Sequence, residues 1–204
     1  MAPAWLEKFI TREDATPDPR RSSDQPIHEI RYTAVAEHRR ILSVAGGGLP
    51  HYELKRESVL GSWGSKCYVT SPSNQNAEVA VLDFHALPRA FTEIKLLQRN
   101  HDIKISTSKQ KFIASGGLGS VYWKGTGGEL QGHASWELRD ETSLVMSVMI
   151  DSNQTNGVIS LFKEKLEAET IEELIMVGLA KIEDYKHMLR ASKRSLIGAV
   201  INMA

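Results

Sequence analysis

The run Gly157–Arg190, GVISLFKEKLEAETIEELIMVGLAKIEDYKHMLR, decides the fold. Its opening, Gly157–Lys163, reads as a β-strand, and Thr170–Arg190 reads as a helix. Between Leu174 and Ala180 that helix carries no charged and no polar side chain. A surface helix shows one apolar stripe and one wet face. Here Ile171, Leu174, Ile175, Gly178, Ile182, Tyr185 and Leu189 make a stripe, and Met176, Val177 and Leu179 fill the rest. Such a helix is expected to be enclosed. At 1.5 Å per residue it spans roughly 30 Å, against roughly 23 Å for a seven-residue strand. Its charged end, Lys181, Glu183, Asp184 and Lys186, is therefore expected to emerge. Thr170 or Glu169 is expected to cap the start, with Glu172 and Glu173 complementing the helix dipole.

Upstream, short strand signals repeat. Tyr52–Arg56, Cys67–Ser71, Glu78–Phe84, Phe91–Leu97, Ile103–Ser108, Lys111–Ser115, Ser120–Gly125, Ala134–Asp140 and Leu144–Asp151 are separated by turn-formers such as Ser71-Pro72-Ser73-Asn74 and Gly116-Gly117. Val79 and Val81, Ile94 and Leu96, and Trp136 and Leu138 alternate, as a sheet with one buried face requires. With Gly157–Lys163 these make ten runs, and the ambiguous stretch His28–Val44 can supply more. Strands in tight succession favour an antiparallel barrel or sandwich. Closure around the helix gives the expected fold: a mainly β, antiparallel barrel around a buried C-terminal α-helix. The expected layout is a flexible arm over 1–27, rich in Pro, Asp, Arg and Ser; the barrel with its helix over 28–195; and an apolar tail over 196–204.

Composition narrows the function classes. Lys+Arg and Asp+Glu both number 25, so the formal net charge is +0. That argues against a general nucleic-acid binder, and no nucleic-acid partner is expected. A single cysteine, Cys67, excludes an internal disulfide framework and suits a reducing compartment. The first residues lack the apolar core of a signal peptide, and no run reaches the length needed to span a bilayer. A cytoplasmic protein, peripheral at membranes, is the expected setting.

The succession Lys111-Phe112, Gly116-Gly117, Tyr122-Trp123-Lys124, Trp136-Glu137-Leu138, Asp151, Gly157, Leu161, Glu172-Glu173-Leu174-Ile175 and Gly178-Leu179 resembles the tubby-like C-terminal domain superfamily. That superfamily takes in tubby, LURP-one-related and phospholipid scramblase-like proteins. The resemblance is nearest to uncharacterised fungal members and covers roughly Tyr52–Arg190. It implies a barrel of about twelve strands closed around a central helix. It also implies a phospholipid-binding role, since tubby domains hold phosphoinositide headgroups on the barrel exterior. Their basic motif has no residue-by-residue match here, so no site is carried over from it.

The residues themselves offer weak constellations. Ser115-Gly116-Gly117-Leu118-Gly119-Ser120 lacks the lysine and the following helix of a phosphate loop, and reads as a hairpin turn that needs positive φ. The seven histidines show no metal-ligand spacing; neither a metal nor a cofactor is expected. No GxSxG elbow presents a nucleophile, so no catalytic residue is assigned. Cys67 reads as a buried thiol, and Trp123 and Trp136 as core anchors. The ligand candidates are basic. Lys104, Lys109 and Lys111 would share a face with Lys124 if Ile103–Ser108 and Lys111–Ser115 form a hairpin, giving a patch for phosphate headgroups. Trp63, read as lying in a loop near Lys66, and the basic cluster Arg190, Lys193 and Arg194 are candidate membrane contacts. The expected function is a non-enzymatic module for anionic phospholipid headgroups at a membrane surface. The alternatives are a scaffold domain that binds a protein partner and, last, an enzyme or small-ligand carrier.

Overall fold

The computed structural model describes residues 25–45, 51–60, 62–85, 90–127 and 134–201, with side chains through Ala191. Twelve strands follow one another: β1 His28–Ala36, β2 Arg39–Val44, β3 Tyr52–Val59, β4 Ser62–Ser71, β5 Ala77–His85, β6 Phe91–Leu96, β7 His101–Ser106, β8 Lys111–Ala114, β9 Gly119–Gly127, β10 Ala134–Arg139, β11 Leu144–Ile150 and β12 Asn156–Leu161. A helix, α1, closes the series over Ala168–Ile201. The ten runs expected from the sequence are all strands, and the ambiguous segment supplies β1 and β2.

The strands form one antiparallel sheet in the order β7-β6-β5-β4-β3-β2-β1-β12-β11-β10-β9-β8. Chain neighbours pair throughout except β7 with β8, and β1 pairs with β12, which joins two meanders. The sheet curls into a nearly closed barrel, and β7 and β8, consecutive in the chain, are its two edges. The hairpin on which a shared lysine face would depend does not form: β8 pairs with β9, and β7 with β6.

The alternation sorts side chains to the two faces of the wall. Tyr32, Leu42, Leu54, Val69, Leu82, Ile94, Val121, Trp136, Val148 and Ile159 are buried with less than a tenth of their surface exposed. They meet Leu174, Ile175, Met176, Val177, Leu179 and Ala180 of α1, all buried. The helix that is apolar all round is thus enclosed all round. Trp136 meets Tyr185 edge-on at 5.1 Å. Gly178 lets α1 lie against β12, since a Cβ there would sit 3.0 Å from Ile159 Cγ2. Trp123 and Cys67 are buried too, and burial pushes the Cys67 thiol up to about 12.

The antiparallel meander places the odd-to-even turns at one end of the barrel and the even-to-odd turns at the other. The chain of α1 enters at the second end and leaves at the first. At the entry mouth Gly116 has φ +62, and a Cβ there would run into Thr170. The hairpin turn expected at Gly116-Gly117 is present, with φ +76 at Gly117. The expected cap is not: α1 begins at Ala168, and Thr170 already donates its amide to the Glu167 carbonyl at 3.0 Å. Glu173 instead reaches across the mouth, where its Oε1 accepts the Ser115 amide at 2.9 Å.

The charged end of the helix does not emerge. Lys181, Glu183 and Lys186 are all buried. They stay inside because each finds a partner there: Arg40 and Arg56 of the wall meet Glu183, Gln110 accepts from Lys181, and Tyr32 and Gln154 accept from Lys186.

Candidate functional site

The exit mouth is built from the β1–β2 turn, the β3–β4 hairpin, the β7–β8 turn, the β11–β12 turn and the departing turns of α1. Its centre is Glu183, with no exposed surface. Tyr32 donates its hydroxyl to Glu183 Oε1 at 2.6 Å, and Arg40 Nε donates to the same oxygen at 3.2 Å. Arg56 Nε lies 3.5 Å from Oε2. Lys186 Nζ donates to the Tyr32 hydroxyl at 2.8 Å and to the Gln154 carbonyl at 2.9 Å. Burial alone would raise the Glu183 carboxyl, but Lys186, Arg40 and Arg56 outweigh it and hold the group below its ordinary value. Burial also pushes the Lys186 ammonium down to about 8, with Glu183 opposing and the neighbouring arginines adding to the push.

Trp63 lies next to this cluster, on β4 rather than in a loop. Four cations surround its ring: Arg190 at 3.4 Å from the centroid, Arg56 at 4.6 Å, Arg40 at 5.2 Å and Lys186 at 5.9 Å. Its indole N–H donates to Glu37 at 3.3 Å, and Arg190 donates to the same carboxylate oxygen at 3.3 Å. Two carboxylates, Glu37 and Glu183, therefore contact three of the four cations, while Lys186 is held by Tyr32 and Gln154. Asp184 adds little at mildly acidic pH, because burial pushes its carboxyl up to about 6 against the pull of Lys181 and Arg56. Two buried polar atoms near Trp63, Arg56 Nη2 and His38 Nδ1, have no hydrogen-bond partner. A buried donor on a charged group gains strongly when an anion meets it.

The structure brings two of the expected membrane contacts, Trp63 and Arg190, into direct stacking. The side chains of the other two, Lys193 and Arg194, lie outside the described residues. The four headgroup lysines do not form one patch. Lys104 on β7 is drawn to Glu93 at 3.0 Å. Lys109 is in the β7–β8 turn at the exit mouth, whose Gln110 accepts from Lys181 at 2.7 Å. Lys111 on β8 faces Tyr122, and Lys124 on β9 faces Glu137, by register. Sequence reasoning missed Arg40, Arg56 and Glu183. The one available signal was an arginine in an inward position of an alternating strand, as in Leu54-Lys55-Arg56.

One crevice between Trp123, Ile105 and Asp184 has about 10 Å³. A shallow cleft of about 440 Å³ lies over β1, β11 and β12. Its carboxylate, Asp151, is already committed to Thr155 and Asn156. Among the described residues no three metal-ligating side chains gather. No described helix is long and apolar enough to cross a membrane.

No family model and no curated protein matches this chain. Among solved structures, an X-ray structure of a protein from Arabidopsis thaliana, AT5G01750, is similar at 13% identity with a TM-score of 0.41. The match covers 79% of this chain and 94% of that one.

Proposed function

We propose that this protein is a tubby-like, non-enzymatic binding module that holds anionic phospholipid headgroups at a membrane surface through its exit mouth. The observation that carries this reading is the excess of cations around Trp63, with Arg56 Nη2 unspent. Arg190 is the accessible member, with 41% of its side chain exposed. It would meet the phosphate first, while Arg56 and Arg40 supply the buried field behind it. Lys109 adds charge at the rim, with Lys111 and Lys124 on the adjoining wall. The superfamily membership and the nearness to fungal members rest on the sequence anchors given above. They account for the barrel and its helix but fix no ligand.

Co-sedimentation of the full chain with vesicles of phosphatidylcholine alone, with added phosphatidylserine, or with added phosphoinositide tests this at low and high salt. Binding confined to anionic vesicles and weakened by salt is expected. Arg190→Glu should abolish it, while Lys104→Glu should change it little. No binding to any vesicle would overturn the reading. One observation favours a protein-binding scaffold instead: Ile113 is 77% exposed on edge strand β8, beside exposed Tyr122. A partner lost on Ile113→Ser, from a chain that ignores vesicles, would establish that alternative.

A further inference from the structure

The β3–β4 hairpin ends in Val59 and Leu60, and nothing in the fold accounts for what stands there. Leu60 is 100% exposed and has φ +50, a left-handed conformation that leucine rarely adopts. Val59 pairs with Ser62, so Leu60 stands in the short loop that joins the two strands. Such loops favour Asn, Asp or Gly at this position. The leucine is therefore both wet and strained, and neither packing nor turn chemistry explains it. A strained, exposed leucine at a tip points to a task outside the fold.

Its neighbours indicate the task. Val59 is 49% exposed, and Val35, near the tip of the adjacent β1–β2 hairpin, is 46% exposed. Glu37 ties the two hairpins together by accepting from Trp63. Behind the apolar tips comes the indole of Trp63, and stacked on it the guanidinium of Arg190. Apolar tip, amphipathic ring and cation in that order match the succession of hydrocarbon, interface and phosphate in an anionic bilayer.

We propose that Val59–Leu60 is a wedge that enters the apolar layer of a membrane, with the exit mouth turned toward the lipid. This rests on the headgroup reading and adds to it an orientation and an apolar contact. The charge behind the tips favours a lipid surface over a protein groove as the occupant.

The test compares the full chain with its Leu60→Asn variant on vesicles of phosphatidylcholine and phosphatidylserine. Asparagine suits the left-handed turn, so the melting temperature should hold or rise. The partition coefficient should fall by about tenfold or more, the loss expected when one leucine no longer leaves water. Leu60→Cys, labelled with a polarity-sensitive fluorophore, gives a second readout, because Cys67 is buried. A blue shift on vesicles is expected. If the unaltered chain binds no vesicle, both the headgroup reading and the wedge fall. If it binds, Leu60→Asn binds equally well and the label stays in water, the headgroup reading stands and the wedge is overturned.

Discussion

The two mouths of the barrel treat the same residue type in opposite ways. Glu173 and Glu183 both lie on α1 with no exposed surface. At the entry mouth Glu173 accepts one backbone amide, from Ser115, and His101 lies 3.8 Å away. Nearby, Arg99 reaches Glu172 at 3.4 Å. Carboxylates there sit near the positive end of the helix dipole, and Glu173 joins α1 to Ser115 by a hydrogen bond. At the exit mouth Glu183 is outnumbered by Arg40, Arg56 and Lys186. One carboxylate fastens a turn. The other restrains like charges that would otherwise repel one another in a medium of low dielectric.

Removing each group in turn separates a fastening from a restraint. Glu183→Ala should have the largest effect, about 3–5 kcal/mol of lost stability by urea unfolding, because it strands buried cations. Gly178→Leu, midway between the mouths, should cost about 1–3 kcal/mol, since Ile159 leaves no room for a side chain. A neutral result there would show that α1 is not held against β12. Glu173→Ala should cost about 1–2 kcal/mol, the penalty of one unpaired amide. If the two glutamate variants lose stability equally, the contrast between the mouths is wrong.

The smallest effect has the opposite sign. The Asp184 carboxyl titrates near about 6 in the folded chain against an ordinary 3.8. Its folded form binds the proton more tightly, so it lowers stability as pH rises from about 4 to about 6. Asp184→Asn should flatten that part of the stability profile and raise stability at pH 7 by on the order of 1 kcal/mol. A profile left unchanged between these pH values would show that the exit mouth accepts the negative charge without strain.

The barrel was legible in the sequence because its signals are local. Alternation marks each strand within six or seven residues, and the uncharged middle of α1 announces its enclosure. The ambiguous stretch was a strand pair with a bulge between Ala34 and Ala36 that blurs its alternation. The exit mouth was much less legible. Arg40 and Glu183 lie 143 positions apart, and each alone reads as a solvated surface charge. Lys104 looked like part of a basic patch because Glu93, its partner, stands on the neighbouring strand and not beside it in the chain. Trp63 and Arg190 each stand out in the sequence, but nothing there shows that one stacks on the other.

The open seam between β7 and β8 bears on how the chain assembles. The pairing of β1 with β12 spans most of the molecule, and α1 is made after both. Contacts of such long reach form late and slowly. A fully stitched cylinder would then have to admit a helix through a mouth, against the side chains already filling it. A wall whose last two edges stay unstitched can instead be rolled around the helix, so that wrapping and filling become a single step.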